Sequence, residues 1–142
     1  MAGFLNPRDL KEMTSEAEEA KMDEERQYKI GQEKVKKELL EAFMSREIHP
    51  NVIERINGAV TIAARQGRHQ IEVLTFPCHY CNDRGRRINN GDADWPVSLE
   101  GFAKRAYEFY NRELKPNGFK MTAEVISFEG GVPGTVALNL KW

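Results

Sequence analysis

The residues best suited to chemistry lie in one loop that contains both cysteines of the chain. Residues 77–85 read PCHYCNDRG, so Cys78 and Cys81 are separated by two residues. Two thiolates at this spacing reach one metal ion, and zinc accepts two sulfurs together with two nitrogen or oxygen ligands. The spacing therefore predicts half of a zinc site, with Cys78, Cys81, His79 and His69 as candidate ligands.

The other half of this zinc site is not evident in the sequence. No second Cys-x-x-Cys motif is present, so the loop resembles only one half of a zinc ribbon. The remaining ligands come either from the histidines and nearby aspartates or from the same loop of a second chain. The alternative is a loop with two ordinary cysteines, one of them buried beside Phe76. A redox pair is not favoured, because polar, turn-forming residues follow the motif where a helix is expected.

A second feature of the same loop is its arginines. Arg84, Arg86 and Arg87 follow Tyr80, and together they predict a nucleic-acid surface in which the arginines bind phosphates and the ring stacks on a base. The alternative, which we favour, pairs the arginines with nearby acids, at positions 83, 92 and 94. The sequence contains no G-x-S-x-G, H-E-x-x-H or phosphate-loop motif, so no reaction is indicated.

The composition excludes several classes of protein. The chain has 142 residues and a formal net charge of −1, which fits one ordinary domain without a global attraction to nucleic acid. No apolar run approaches the roughly 18 residues that a membrane span needs, and the N-terminus does not read as a signal peptide. We therefore expect a cytoplasmic protein with no membrane partner. Two cysteines do not make the disulfide framework of a secreted mini-protein.

The elements that must position these residues begin with a charged helical arm at residues 1–47, which contains twelve Asp or Glu and nine Lys or Arg. Asn6 followed by Pro7 predicts the helix start. Apolar residues then recur at coiled-coil-like spacing in two pieces, Leu10, Met13, Ala17 and Ala20, then Tyr28, Val35, Leu39, Ala42 and Phe43, and Gly31 follows the first residue of the second piece. We expect the arm to bend or fray at that glycine.

The pattern of residues 48–142 predicts an α+β domain. The periodicity indicates a core helix at 51–66, a strand at 69–76, a long polar loop at 77–97, a helix at 98–114, and strands at 119–128 and 135–142. The strand–helix–strand part predicts two parallel neighbours, and the last strand is expected antiparallel to the second. The fold class is thus α+β, with a small three-stranded mixed sheet packed by helices. Its free edges invite a second copy.

Residues 52–142 also resemble small uncharacterised phage and prophage α+β proteins. The pattern consists of a helix with Ala63-Ala64 before Gly67, a strand, a helix ending at Leu114 before Gly118-Phe119, and an apolar last strand closing on Trp142. Such proteins are often of unknown role or associated with the virion, so the resemblance implies no catalytic residue. With no catalytic motif, we expect a non-enzymatic interaction or assembly protein that forms a homo-oligomer or binds another protein. The alternative is a small zinc- or nucleic-acid-binding protein that uses residues 78–92.

Overall fold

The computed structural model describes residues 3–4 and 6–142, so residues 1, 2 and 5 of the predicted arm lie outside it. The chain divides into two compact units, residues 1–41 and 42–142. Helix α1 (Pro7–Ser45) makes up most of the first unit, and its last turn belongs to the second. The helix starts as predicted: the side-chain oxygen of Asn6 accepts the backbone N–H of Asp9 at 2.9 Å.

Gly31 does not divide α1, which is one continuous helix of 39 residues. The expected bend at this glycine is therefore wrong, because a single Gly lowers helix stability by only about 1 kcal/mol without removing a backbone hydrogen bond. No residue of α1 is buried. Within the described part of the chain, no helix is both long enough and apolar enough to cross a membrane.

The second unit contains three further helices and three strands, which confirms the α+β class. Three short 3-10 turns, at Cys78–Tyr80, Trp95–Ser98 and Lys115–Asn117, complete its regular structure. The helices and strands are α2 (Val52–Arg65), β1 (Gln70–Pro77), α3 (Arg86–Asn90), α4 (Gly101–Phe109, continued by a π-helical turn at Tyr110–Leu114), β2 (Lys120–Glu129) and β3 (Val132–Lys141).

The sheet is antiparallel throughout, with the strand order β1-β3-β2. The predicted antiparallel pairing of the last two strands is confirmed. The predicted mixed sheet is wrong: β1 and β2 run in the same direction, but β3 lies between them. Residues 136–140 of β3 are buried on both faces of the sheet. The central position therefore suits β3, and β1 pairs with the edge of β3 that β2 leaves open.

One face of the sheet carries the core. The register aligns Leu74 with Leu138 and Phe76 with Val136, and a β-bulge between Glu72 and Leu74 keeps the apolar side chains on this face. The opposite face is polar. There, the Asn139 amide donates to the Glu124 carboxylate at 3.0 Å. The helices therefore have only one apolar sheet face to cover.

The last turn of α1 docks tightly on the start of α4. The Phe43 ring lies 4.7 Å from the Tyr80 ring and 5.5 Å from the Phe76 ring, between centroids. Gly101 has a φ of +56°, and a β-carbon added there would stand 2.7 Å from the Met44 α-carbon. Only glycine permits both this conformation and this close approach.

The helices differ from the prediction in two respects. Helix α4 starts at Gly101 rather than after Ser98, whose buried hydroxyl instead donates to the Trp95 carbonyl at 2.7 Å within a 3-10 turn. Pro96 favours this turn, because its fixed φ suits a first turn, where its missing N–H leaves no hydrogen bond unmade. Helix α2 is less buried than predicted. Ala63 is its one buried residue, and Ile53, which the periodicity places on the core side, is 53% exposed.

Candidate functional sites

The two cysteines lie in the interior of the second unit. Cys78 and Cys81 are 2% and 5% exposed, and the Cys81 N–H donates to the Cys78 carbonyl at 3.1 Å. A β-carbon on Gly85 would stand 3.1 Å from the Cys78 sulfur, so the loop folds back closely on the thiol. Burial raises the pKa of Cys81 to about 11 and also raises that of Cys78. Both thiols therefore behave as small apolar side chains.

The predicted metal ligands do not come together. His69 precedes β1 and Cys78 follows it, and an eight-residue strand separates them by about 26 Å. His79 is exposed, and its ring packs edge-on against Tyr80 at 4.9 Å. In the part of the chain that the structure describes, no three His, Cys, Asp or Glu side chains cluster closely enough to hold a metal ion. The four predicted ligands thus form no zinc site within one chain.

Arg87 holds the loop together and does not face a ligand. Its guanidinium binds the Asp83 and Asp94 carboxylates, each at 3.2 Å. Asp83 also accepts the backbone N–H groups of Gly85 and Arg87, both at 3.0 Å. Partial burial alone would raise the pKa of Asp83, but these hydrogen bonds and the guanidinium outweigh it and lower the pKa. This pairing of Arg87 with nearby acids agrees with the interpretation that we favoured from the sequence.

The other predicted nucleic-acid residues are divided between surface and core. Arg84 and Arg86 are exposed, and Arg84 adopts a left-handed φ of +59°. Tyr80 is only 8% exposed and packs on Phe43, so its ring has no face available for a base. Stacking by Tyr80 is therefore corrected to a core role. Two exposed arginines without an aromatic platform make a weak footprint for single-stranded nucleic acid.

The stripe of α1 is the largest group of exposed apolar side chains on one element. Exposure runs from 46% for Leu10 to 67% for Tyr28, with Met13, Val35 and Leu39 between these values. Charge is also separated along the helix. Residues 9–25 carry a net charge of −6, and residues 26–37 carry +4. The apolar spacing predicts the stripe but not this polarity, which appears only when the charges of the two halves are compared.

No family model, curated protein or solved structure matches this chain. The role of the protein therefore has to be argued from the chemistry and geometry of its own residues. Of the surfaces described above, the α1 stripe has the most apolar area left to bury.

Proposed function

We propose that the protein is a non-enzymatic interaction and assembly protein that self-associates through α1. The observation that carries the proposal is a 39-residue helix with no buried residue and exposed apolar side chains along one face. Apolar stripes of this kind stabilise long helices mainly by packing, because helix propensity alone contributes little. A second copy of α1 supplies a matching surface.

The stripe favours an antiparallel pair. Three of its first-half positions are related to three second-half positions by symmetry about residue 26. An antiparallel partner therefore places Leu10 beside Ala42, Met13 beside Leu39 and Ala17 beside Val35. In a coiled coil, facing apolar side chains of the two helices pack in layers of this kind.

Charge supports the same orientation. A parallel pair would align residues 9–25, with their net charge of −6, beside the same segment of the other chain. An antiparallel pair aligns this segment with residues 27–43, which carry a net charge of +1. Like charges along a seam are destabilising, so the antiparallel pair avoids the larger repulsion.

Sedimentation velocity of the full chain tests this function with two matched double variants. Val35→Gln with Leu39→Gln removes two side chains from the stripe. Met22→Gln with Ile30→Gln removes two exposed apolar side chains from the opposite side of the same helix. Because each stripe position occurs twice in a symmetric pair, the first variant should weaken association by roughly a hundredfold to a thousandfold. The second should leave it within about threefold. A monomeric wild-type chain, or equal effects of the two variants, contradicts the proposal.

The proposal also includes the role of the assembly, its compartment and its further partners. The resemblance of residues 52–142 to small phage and prophage proteins supports a role in building a particle, and the absence of an indicated reaction supports a non-enzymatic one. We place this assembly in the cytoplasm. A different protein can bind the free edges of the sheet without interfering with self-association through α1.

A further inference from the structure

A second feature of the fold is an apolar cleft between α2 and α4, above the core face of the sheet. Its volume is about 310 Å³. The floor and walls come from both helices and from β1 and β3, with the side chains of Ile56, Ile71, Leu74, Phe102, Phe109 and Leu140 among them. Protein interiors normally leave few voids larger than a water molecule, so a cleft of this size is available for a ligand.

The rim of the cleft is cationic. Arg46, His49 and Arg55 line it, and Glu72 is the one acidic residue among the described lining residues. The sheet register pairs Glu72 with Asn139, whose side chain bonds Glu124 on the polar face. Because side chains alternate along a strand, the Glu72 carboxylate belongs to that polar face. The charge that faces the cleft is therefore positive.

Both arginines have hydrogen-bond capacity to spare. Throughout the described residues, no ion pair involves Arg46 or Arg55. The Arg46 guanidinium stacks 4.2 Å from the centre of the Phe102 ring, which fixes it over the apolar wall. The backbone around it is held by Arg105, which donates to the Met44 carbonyl at 2.8 Å and the Arg46 carbonyl at 3.1 Å.

His49 occupies at most one of the hydrogen-bond donors of Arg55. The Nδ1 atom of His49 lies 3.0 Å from the Asn51 backbone nitrogen, and its Nε2 atom lies 3.2 Å from an Arg55 nitrogen. A neutral imidazole accepts at one of these nitrogens, whereas a guanidinium has five N–H donors. The Arg55 guanidinium thus keeps its planar pair of N–H groups for a carboxylate, the geometry that guanidinium binds best.

We infer that the cleft binds an amphipathic monocarboxylate, such as a medium-chain fatty acid, with its apolar chain between α2 and α4 and its carboxylate between Arg46 and Arg55. About 310 Å³ corresponds to roughly ten water volumes. This space accommodates a body of about eight to ten carbon atoms. The site is independent of self-association through α1, because none of its lining residues belongs to the stripe.

Isothermal titration calorimetry of the full chain with straight-chain carboxylates tests this inference. From hexanoate to decanoate, affinity should rise about fourfold per added CH₂ group, as expected for burial of the chain. The rise should stop once the cleft is full, near ten carbons. Decanol, which has the same chain without the charge, should bind at least tenfold more weakly than decanoate.

Matched variants separate this site from nonspecific adsorption. Arg46→Gln and Arg55→Gln should each weaken decanoate about tenfold and leave decanol unchanged, whereas Arg68→Gln, outside the cleft, should change neither. Absence of binding at 1 mM decanoate overturns the inference, as do equal affinities for decanoate and decanol. If decanoate instead dissociates the oligomer, the cleft is an interface between copies and the inference also fails. Circular dichroism of each variant confirms that the fold is retained, and the wild-type chain-length series does not depend on any variant.

Discussion

Replacing Gly101 with alanine tests how the last turn of α1 is held on the second unit. The added methyl group would stand 2.7 Å from the Met44 α-carbon and 2.8 Å from its sulfur, and the sulfur alone can move cheaply. A left-handed φ costs a non-glycine residue about 1–2 kcal/mol, and forcing the two backbones apart adds a penalty of about 1–3 kcal/mol. We therefore expect a loss of about 2–5 kcal/mol in the free energy of unfolding. For a unit of this size the midpoint of thermal unfolding should fall by roughly 10–25 °C.

The matched control for Gly101→Ala is Gly58→Ala. Gly58 lies within α2, where an added methyl group meets nothing within 4 Å. There the substitution should stabilise the unit by about 0.5–1 kcal/mol, because alanine is the better helix former. Urea unfolding followed by circular dichroism measures both values. A Gly101→Ala protein as stable as the wild type, or as stable as the Gly58→Ala protein, would refute the tight docking of α1 on α4.

The remaining predictions concern the loop of residues 77–97. Because hydrogen bonds lower the pKa of Asp83, its contribution to stability is complete above about pH 4 and is lost as the pH falls through the lowered value. Asp83→Asn should cost about 1–2 kcal/mol at pH 7, and this difference should shrink as the pH falls below about 4; a difference that does not change with pH contradicts the role of the carboxylate. With a pKa of about 11, Cys81 is about 0.1% thiolate at pH 8, roughly a hundredfold less than an exposed thiol. Its reaction with a disulfide reagent should be at least a hundredfold slower in the native chain than in urea, and equal rates would show that the loop is open.

The sequence predicts the elements of this protein better than their arrangement. The start of α1 at Asn6 and the pairing of the last two strands follow from local signals, namely a capping residue and a glycine-rich turn. The central position of β3 in the sheet does not follow from any local signal. Ala137 and Asn139 alternate with Val136 and Leu138 as if they faced water, but they are small, and flanking side chains cover them. Local periodicity cannot show which strands become neighbours.

The candidate sites were predictable to a similar extent. The apolar stripe of α1 is visible in the sequence, and so is the acid that neutralises Arg87. The compact loop is not, because the polar residues of 77–97 look solvated, whereas the left-handed conformations of Arg84 and Gly85 fold the chain back over Cys78. The cleft could not be predicted either. Its rim depends on contacts such as that of Arg105 with Met44, which are 61 residues apart in the chain.

One distance measurement tests the central claim, antiparallel self-association through α1, most directly. A spin label on a cysteine introduced at Thr14, an exposed position beside the stripe, reports on its copy in the partner chain. The wild-type chain controls for labelling of the buried Cys78 and Cys81. In the antiparallel pair the two labels are 24 residues apart along the helix axis, or about 36 Å. Double electron–electron resonance should give a distance of about 35–40 Å. No dipolar coupling, or a distance below about 15 Å as in a parallel pair, would contradict it.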